Sequence, residues 1–252
     1  VKVLFPAVTC VLTSHLKPSL GEAVDSVLSQ TRKDFQLIIL DSGQWIGKTS
    51  KIARQMKGFY EEYSFHPLID WITTGESASL YEQACPISYV TNQAIRAGII
   101  RGRYMCTFYD DDIYEPQFFE KMAGYLDTHP KIGAVYCAEN IYAVNEDGTY
   151  WQTGILPADA PRSGAGNFDC RMDGASVMWH TSALEEMEQP WLPEDPDYNA
   201  CRHSDGVFLE KLAAVVGTVG NVPDTLVKNR ATPWSTFTAT AGALPEYDIR
   251  KA

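Results

Sequence analysis

Three aspartates stand side by side in "FYDDDIYEP", residues 108–116, directly after the apolar-aromatic run "YMCTFY". Adjacent carboxylates repel one another and resist burial. Asp110, Asp111 and Asp112 therefore require open solvent or a positive charge beside them. Two chemistries meet that requirement. One is a solvated acidic turn that caps the following helix. The other is a hard divalent cation, Mn2+ or Mg2+, which prefers oxygen ligands and is often held by one or two carboxylates plus the phosphates of a substrate. Asp205, in "HSDGVFLEKL", reads either as a helix N-cap or as a general base. His203, two residues earlier, is either an exposed loop histidine or a metal ligand or acid-base group. His180, in "SVMWHTS", either packs beside Trp179 or faces a ligand. Trp45, Trp71, Trp191 and Trp234 read as packing residues. No Ser-His-Asp set, HExxH, P-loop or GxGxxG stands out. The missing Gly-rich loop argues against chemistry on a triphosphate.

The elements that must position these groups follow from hydrophobic periodicity. "AVTCVLTSH" (7–15), "FQLIILDSG" (35–43), "LIDWITT" (68–74) and "RYMCTFYDD" (103–111) read as strands. Helices are predicted at 19–31, 50–63 and 89–102, the first with Ser19 as N-cap and Glu22 closing a capping box. Strands separated by helices predict right-handed crossovers and a mostly parallel sheet. Ligands of such sheets collect beyond the carboxyl ends of the strands. His15, Asp41 and Asp110–Asp112 all fall there. Further on, a helix is expected at 115–130, one or two strands at 132–145, a turn at 146–150 and a returning strand at 150–156. Residues 157–176 are rich in Pro, Gly, Ala and Asp and read as a loop able to act as a lid. Short helices at 182–189 and 205–217 and a strand at 218–230 complete the pattern, with a tail from about Ala231.

Composition narrows the classes. The 252 residues can bury a core without staples. A net charge of −11 argues against a nucleic-acid surface or a basic membrane anchor. No apolar run reaches the about 18 residues of a membrane span. The six cysteines, Cys10, Cys85, Cys106, Cys137, Cys170 and Cys201, show no CxxC pair and read as free thiols of a cytoplasmic protein.

The stretch "VTCVLTSHLKPSLGEAVDSVLSQTRKDFQLIILDSG" resembles the opening of family-2 glycosyltransferases of the GT-A fold. "TNQAIRAGIIRGRYMCTFYDDDIYEP" is similar to the region that carries their DxD motif, and "DGASVMWHTSALEE" and "HSDGVFLEKL" resemble later segments. The resemblance covers residues 6–235. It implies one α/β domain, 1–252, with a nucleotide-binding half (1–112), an acceptor and sugar half (113–235) and a tail (236–252). It implies that Asp41 contacts the base, that Asp110 and Asn92 belong to the nucleotide-sugar site, that Asp173 meets the donor sugar and that Arg230 lies near the diphosphate. Asp111 and Asp112 would bind the metal, with His180 and His203 as further ligand candidates, and Asp205 would deprotonate the acceptor. The implied activity is metal-dependent, inverting transfer from a nucleotide-diphospho-sugar to a small-molecule acceptor. A nucleotide-sugar mutase on the same fold and a non-catalytic sugar-nucleotide binder are the alternatives. Departures from the pattern are Tyr109 at the first DxD aspartate, Ser204 before Asp205, and "LTSH" for the usual "PTYN".

Overall fold

The computed structural model of the protein describes residues 5–14, 17, 19–41, 45–73, 86–145, 149–163, 172–189, 191 and 204–231. Its first half follows the alternation read from the sequence: β1 (Val8–Ser14), α1 (Leu20–Leu28), β2 (Phe35–Asp41), α2 (Lys51–Tyr63), β3 (Ile69–Thr73), α3 (Pro86–Arg96) and β4 (Tyr104–Tyr109). β1 pairs parallel with β2 and β4, and β2 with β3. β1 and β2 are buried from end to end, as strands covered on both faces must be. Alternation assigns their side chains. Cys10, Leu12, Leu37 and Ile39 join α1 and Phe118, Phe119 and Met122 on one face. Val11, Ile38 and Leu40 face Val90, Leu209 and Leu212 on the other.

The second half is β5 (Ile113–Tyr114), α4 (Phe118–Thr128), β6 (Ala134–Val144), β7 (Tyr150–Leu156), β8 (Arg162–Ser163), a 3-10 turn (Gly174–Ser176), β9 (Val177–His180), α5 (Ala183–Glu186), α6 (Ser204–Val216) and β10 (Thr218–Ala231). The sheet runs β3-β2-β1-β4-β9-β6-β10-β5, with β7 on β6 and β8 on β10. β6 and β10 are parallel, but β9 lies antiparallel between β4 and β6. The expected parallel sheet thus holds for the first four strands, and the rest is mixed. β9 leaves a turn at the carboxyl edge and not a crossover helix, so it must run back down the sheet.

Two local expectations change. The capping box does not form. Ser19 is already helical, at φ −77° and ψ −4°. Its hydroxyl instead donates to the Asp110 carbonyl at 2.7 Å, and Glu22 pairs with Arg230. The third helix ends at Arg96, because Gly98 turns left-handed at φ 65°. Part of the presumed lid is tied down: β8 pairs with Thr218 and Val219 of β10. Residues 164–171, His15, His203 and the tail lie outside the described residues. Cys10, Cys106 and Cys137 are free and buried, as expected.

Candidate active site

The acidic triplet is a fixed object. Below it, Tyr114 stacks between Phe108 and Phe118, with ring centroids 3.9 Å apart on each side. The Tyr114 hydroxyl lies within hydrogen-bond reach of two carbonyls that share its one proton, Ala175 at 2.9 Å and Thr107 at 3.1 Å. That aromatic block clamps the turn between β4 and β5 against the 3-10 turn.

From this turn the three carboxylates reach two cationic residues, Lys17 and Arg230. Asp110 points to the end of β1, where its Oδ2 accepts from the Ser14 hydroxyl at 3.3 Å and the Lys17 amide at 3.2 Å. Asp111 meets the Lys17 ammonium at 2.5 Å, and that ammonium lies 3.5 Å from Asp110. Asp112 accepts the Arg230 backbone N–H at 3.1 Å. Arg230 donates through Nε to the Asp111 carbonyl and through Nη1 to Glu22. Burial opposes the Lys17 charge, yet Asp111 and Asp110 outweigh it and hold its pKa above the ordinary value. The positive partners that the triplet demands are therefore Lys17 and Arg230. Asp111 and Asp112, expected to share a metal, turn to different partners. Among the described residues no group of three or more His, Cys, Asp or Glu side chains is arranged to hold a metal ion. As they stand, these residues do not fit a divalent cation.

A second acidic group lies beside the first. Asp173 sits at the start of the 3-10 turn: Oδ1 accepts the Ala175 N–H at 2.8 Å, Oδ2 accepts Asn229 Nδ2 at 3.1 Å, and its own N–H donates to Glu139 Oε1 at 3.3 Å. Asp205, on the first turn of α6, accepts the Gly206 N–H at 2.9 Å. The Asp205 Cβ and the Tyr109 hydroxyl both crowd Gly174: a methyl group there would stand 3.3 Å and 2.7 Å from them. Burial, then the neighbouring carboxylates, pushes the Asp112 and Asp173 carboxyls well above their ordinary range. Burial raises Tyr109 too, helped by Asp205 and Asp173. An aspartate at position 109 would add another charge to this group, whereas tyrosine adds none.

Glu139 is fully buried on β6, and burial pushes its carboxyl up to about 7. Its folded pKa lies above its unfolded value. The stabilisation from holding that proton is complete below the ordinary Glu range and is lost as pH rises toward 7. Glu139→Gln mimics the neutral acid and keeps an oxygen for the Asp173 N–H. It is expected to stabilise the protein at pH 8 by on the order of 1–3 kcal/mol, with little effect at pH 4.5. Thermal melts across that pH range check this; an unchanged slope would show that Glu139 is not the titrating group.

The remaining predicted site residues divide. Asp41 is at the carboxyl end of β2, where its Oδ2 accepts from Trp45 Nε1 at 2.7 Å, Trp71 Nε1 at 3.2 Å and the Thr73 hydroxyl at 3.4 Å. Tyr60 stands between the two indoles, 5.7 Å and 5.6 Å from them. Asp41 therefore anchors an aromatic corner. Asn92 is buried on α3. His180 is displaced from the others: it pairs with Tyr104 at the start of β4 and packs edge-on to that ring at 4.8 Å. Five strand rises, about 17 Å, separate that point from the end of β4. Burial and Arg103 lower its pKa, which suits a packed neutral ring.

No protein-family model matches the chain. Protein CgeD of Bacillus subtilis (strain 168) is 27% identical over 212 residues, which are 81% of this chain and 46% of CgeD. TarS of S. aureus, a GT-A glycosyltransferase, superposes with a TM-score of 0.60 at 12% identity, over 90% of this chain and 37% of TarS. The chain has the GT-A fold. TarS 1–349 in complex with UDP matches at a TM-score of 0.56 and 12% identity, over 91% of this chain and 61% of that one. The complex with UDP-GlcNAc matches at 0.53 and 11%, over 92% and 60%. The chain thus spans about half the length of CgeD and less than two-thirds of TarS. In this GT-A sheet Asp41, the triplet, Asp173, Asp205 and Arg230 share the carboxyl edge. Lys17 and Glu139 join them without having been singled out from sequence, and Glu22, read there as half of a capping box, joins them through Arg230. Glu139 left one legible trace, a carboxylate inside the apolar strand "AVYCAENIYAV".

Proposed function

We propose that the chain transfers a sugar from a nucleoside-diphosphate sugar to an acceptor hydroxyl, with inversion. The observation that carries this is the gathering, at the carboxyl edge of a GT-A sheet, of Asp205 beside a triplet flanked by two cations. Asp205 lies on the first turn of α6, where the helix N-terminus favours negative charge. Three carboxyls beside it, Asp112, Glu139 and Asp173, have raised pKa values. Four carboxyls in such a group cannot all ionise together. Burial and mutual repulsion disfavour the ionised form of Asp112, Glu139 and Asp173, while the helix N-terminus favours a negative charge at Asp205. Asp205 takes the proton of the acceptor hydroxyl, whose oxygen bonds to the anomeric carbon. The bond to the diphosphate oxygen breaks, and the nucleoside diphosphate leaves with the electron pair.

TarS has been crystallised with UDP and UDP-GlcNAc, so uridine sugars head the donors to test. The experiment is incubation with UDP-, GDP- and dTDP-sugars, with and without sugar or polyol acceptors, reading nucleoside diphosphate release. Release that requires an acceptor is the expected result. A rearranged sugar nucleotide from donor alone would mark a mutase instead. If no sugar nucleotide raises the melting temperature or is consumed, the reading fails.

A further inference from the structure

The charge balance at the triplet supports one more step, which rests on the sugar-nucleotide reading above. A divalent cation there would need carboxylates turned toward one point. Asp110 gives one oxygen to Ser14 and the Lys17 amide and turns the other to the Lys17 ammonium, 3.5 Å away, and Asp112 turns to the Arg230 amide. Asp111 remains, and its Oδ2 already touches the Lys17 ammonium at 2.5 Å. An ammonium and a metal ion on the same carboxylate oxygen would repel each other strongly. Arg230 flanks the other side. The residue is 6% exposed, and its Nη2 is buried with no acceptor among the described residues. A buried guanidinium N–H without an acceptor is costly, and phosphate oxygens match its fork. Lys17, on a flexible stem, can reach a phosphate while Asp111 still orients it.

We propose that Lys17 and Arg230 take the place of the divalent cation, so that the chain binds a nucleoside diphosphate without a metal ion. The pair supplies two positive charges, as Mn2+ or Mg2+ would. Those charges meet the diphosphate in the ground state and grow in value as the sugar departs.

The test is calorimetric titration of the whole protein with UDP, in EDTA and in millimolar Mn2+. The wild-type affinity is expected to agree within about twofold between the two buffers, and Lys17→Met to lose about tenfold or more. Lys17→Arg, which keeps the charge, is expected to stay within about threefold of wild type, and this separates charge from folding. Affinity at least about tenfold tighter in Mn2+ than in EDTA, or an unaffected Lys17→Met, overturns the inference. Titration of the protein alone with Mn2+, followed by the electron-spin signal of the free ion, keeps the two readings apart. Tight Mn2+ binding by the wild type overturns this inference whatever UDP does. Failure of UDP, GDP and dTDP alike in both buffers overturns the sugar-nucleotide reading, and this inference with it.

Discussion

Asp205→Asn is expected to lower sugar transfer by about 10²–10⁴-fold, the usual worth of a positioned general base. Sugar-nucleotide affinity should hardly change. Asparagine has the shape of aspartate and keeps an oxygen for the Gly206 N–H, now accepted by Asp205 at 2.9 Å. It cannot take a proton from an acceptor hydroxyl. It also removes one negative charge from a group that already contains Asp173 and Glu139, so stability should hold or rise slightly. Initial rates of nucleoside diphosphate release, set beside calorimetric affinity, separate the two effects: a fall in kcat with unchanged binding marks an interaction made only in the transition state. Activity within tenfold of wild type would move the base elsewhere. Asp173 is another carboxylate of the group, but both of its oxygens are engaged, with Ala175 and Asn229. Burial and the neighbouring carboxylates also push its pKa up, which disfavours its ionised form.

Local rules carried the first half of the fold. β1 and β2 announce themselves as apolar runs, and α2 begins where Ser50 accepts the Ala53 N–H at 3.1 Å. Because strands alternate with helices there, the carboxyl edge follows, and with it the shared placement of Asp41 and Asp110–Asp112. The long-range partners were not legible. Ser19 looked like a cap, but its hydroxyl reaches a carbonyl 91 positions away. The triplet asked for a positive partner, yet nothing in its neighbourhood named Lys17, 94 positions earlier, or Arg230, 118 positions later. His180 ends β9, but β9 runs antiparallel to β4, so its end is the opposite edge of the sheet. Strand direction is a property of the whole topology, and residue type does not encode it. Trp45 and Trp71 were read as packing. Their ring contacts agree, but both indoles also bind Asp41, and no spacing rule predicts that.

Gly102→Ala is expected to be the most damaging small substitution away from the site. Gly102 lies where the chain enters β4, at the edge of the sheet opposite the acidic groups. A Cβ there would stand 2.4 Å from the Thr9 nitrogen and 2.7 Å from the Val8 carbonyl carbon and the Tyr104 oxygen. All three are backbone atoms of paired strands, so no side chain can swing aside. The position is also wired into a buried polar network. The Gly102 N–H donates to the Thr9 hydroxyl at 2.8 Å, and that hydroxyl donates to Gln36 Oε1 at 2.9 Å. Gln36 Nε2 reaches Asp70 at 2.9 Å, and the Gly102 carbonyl accepts from the Thr181 hydroxyl at 2.7 Å. One methyl group therefore strains β1 against β4 and loosens ties to β2, β3 and the end of β9. Overpacking of this kind costs about 3 kcal/mol or more. For a chain of this size that is a fall in Tm of about 6–12 °C. Gly58→Ala and Gly124→Ala are the controls, since a methyl group at either helical position meets nothing within 4 Å. Each should gain about 0.5–1 kcal/mol from lost backbone freedom in the unfolded chain. If Gly102→Ala melted with these controls, the close approach of β1 to the β4 entry would be wrong. The register that brings Ser14, Tyr109 and the triplet to one edge would fall with it.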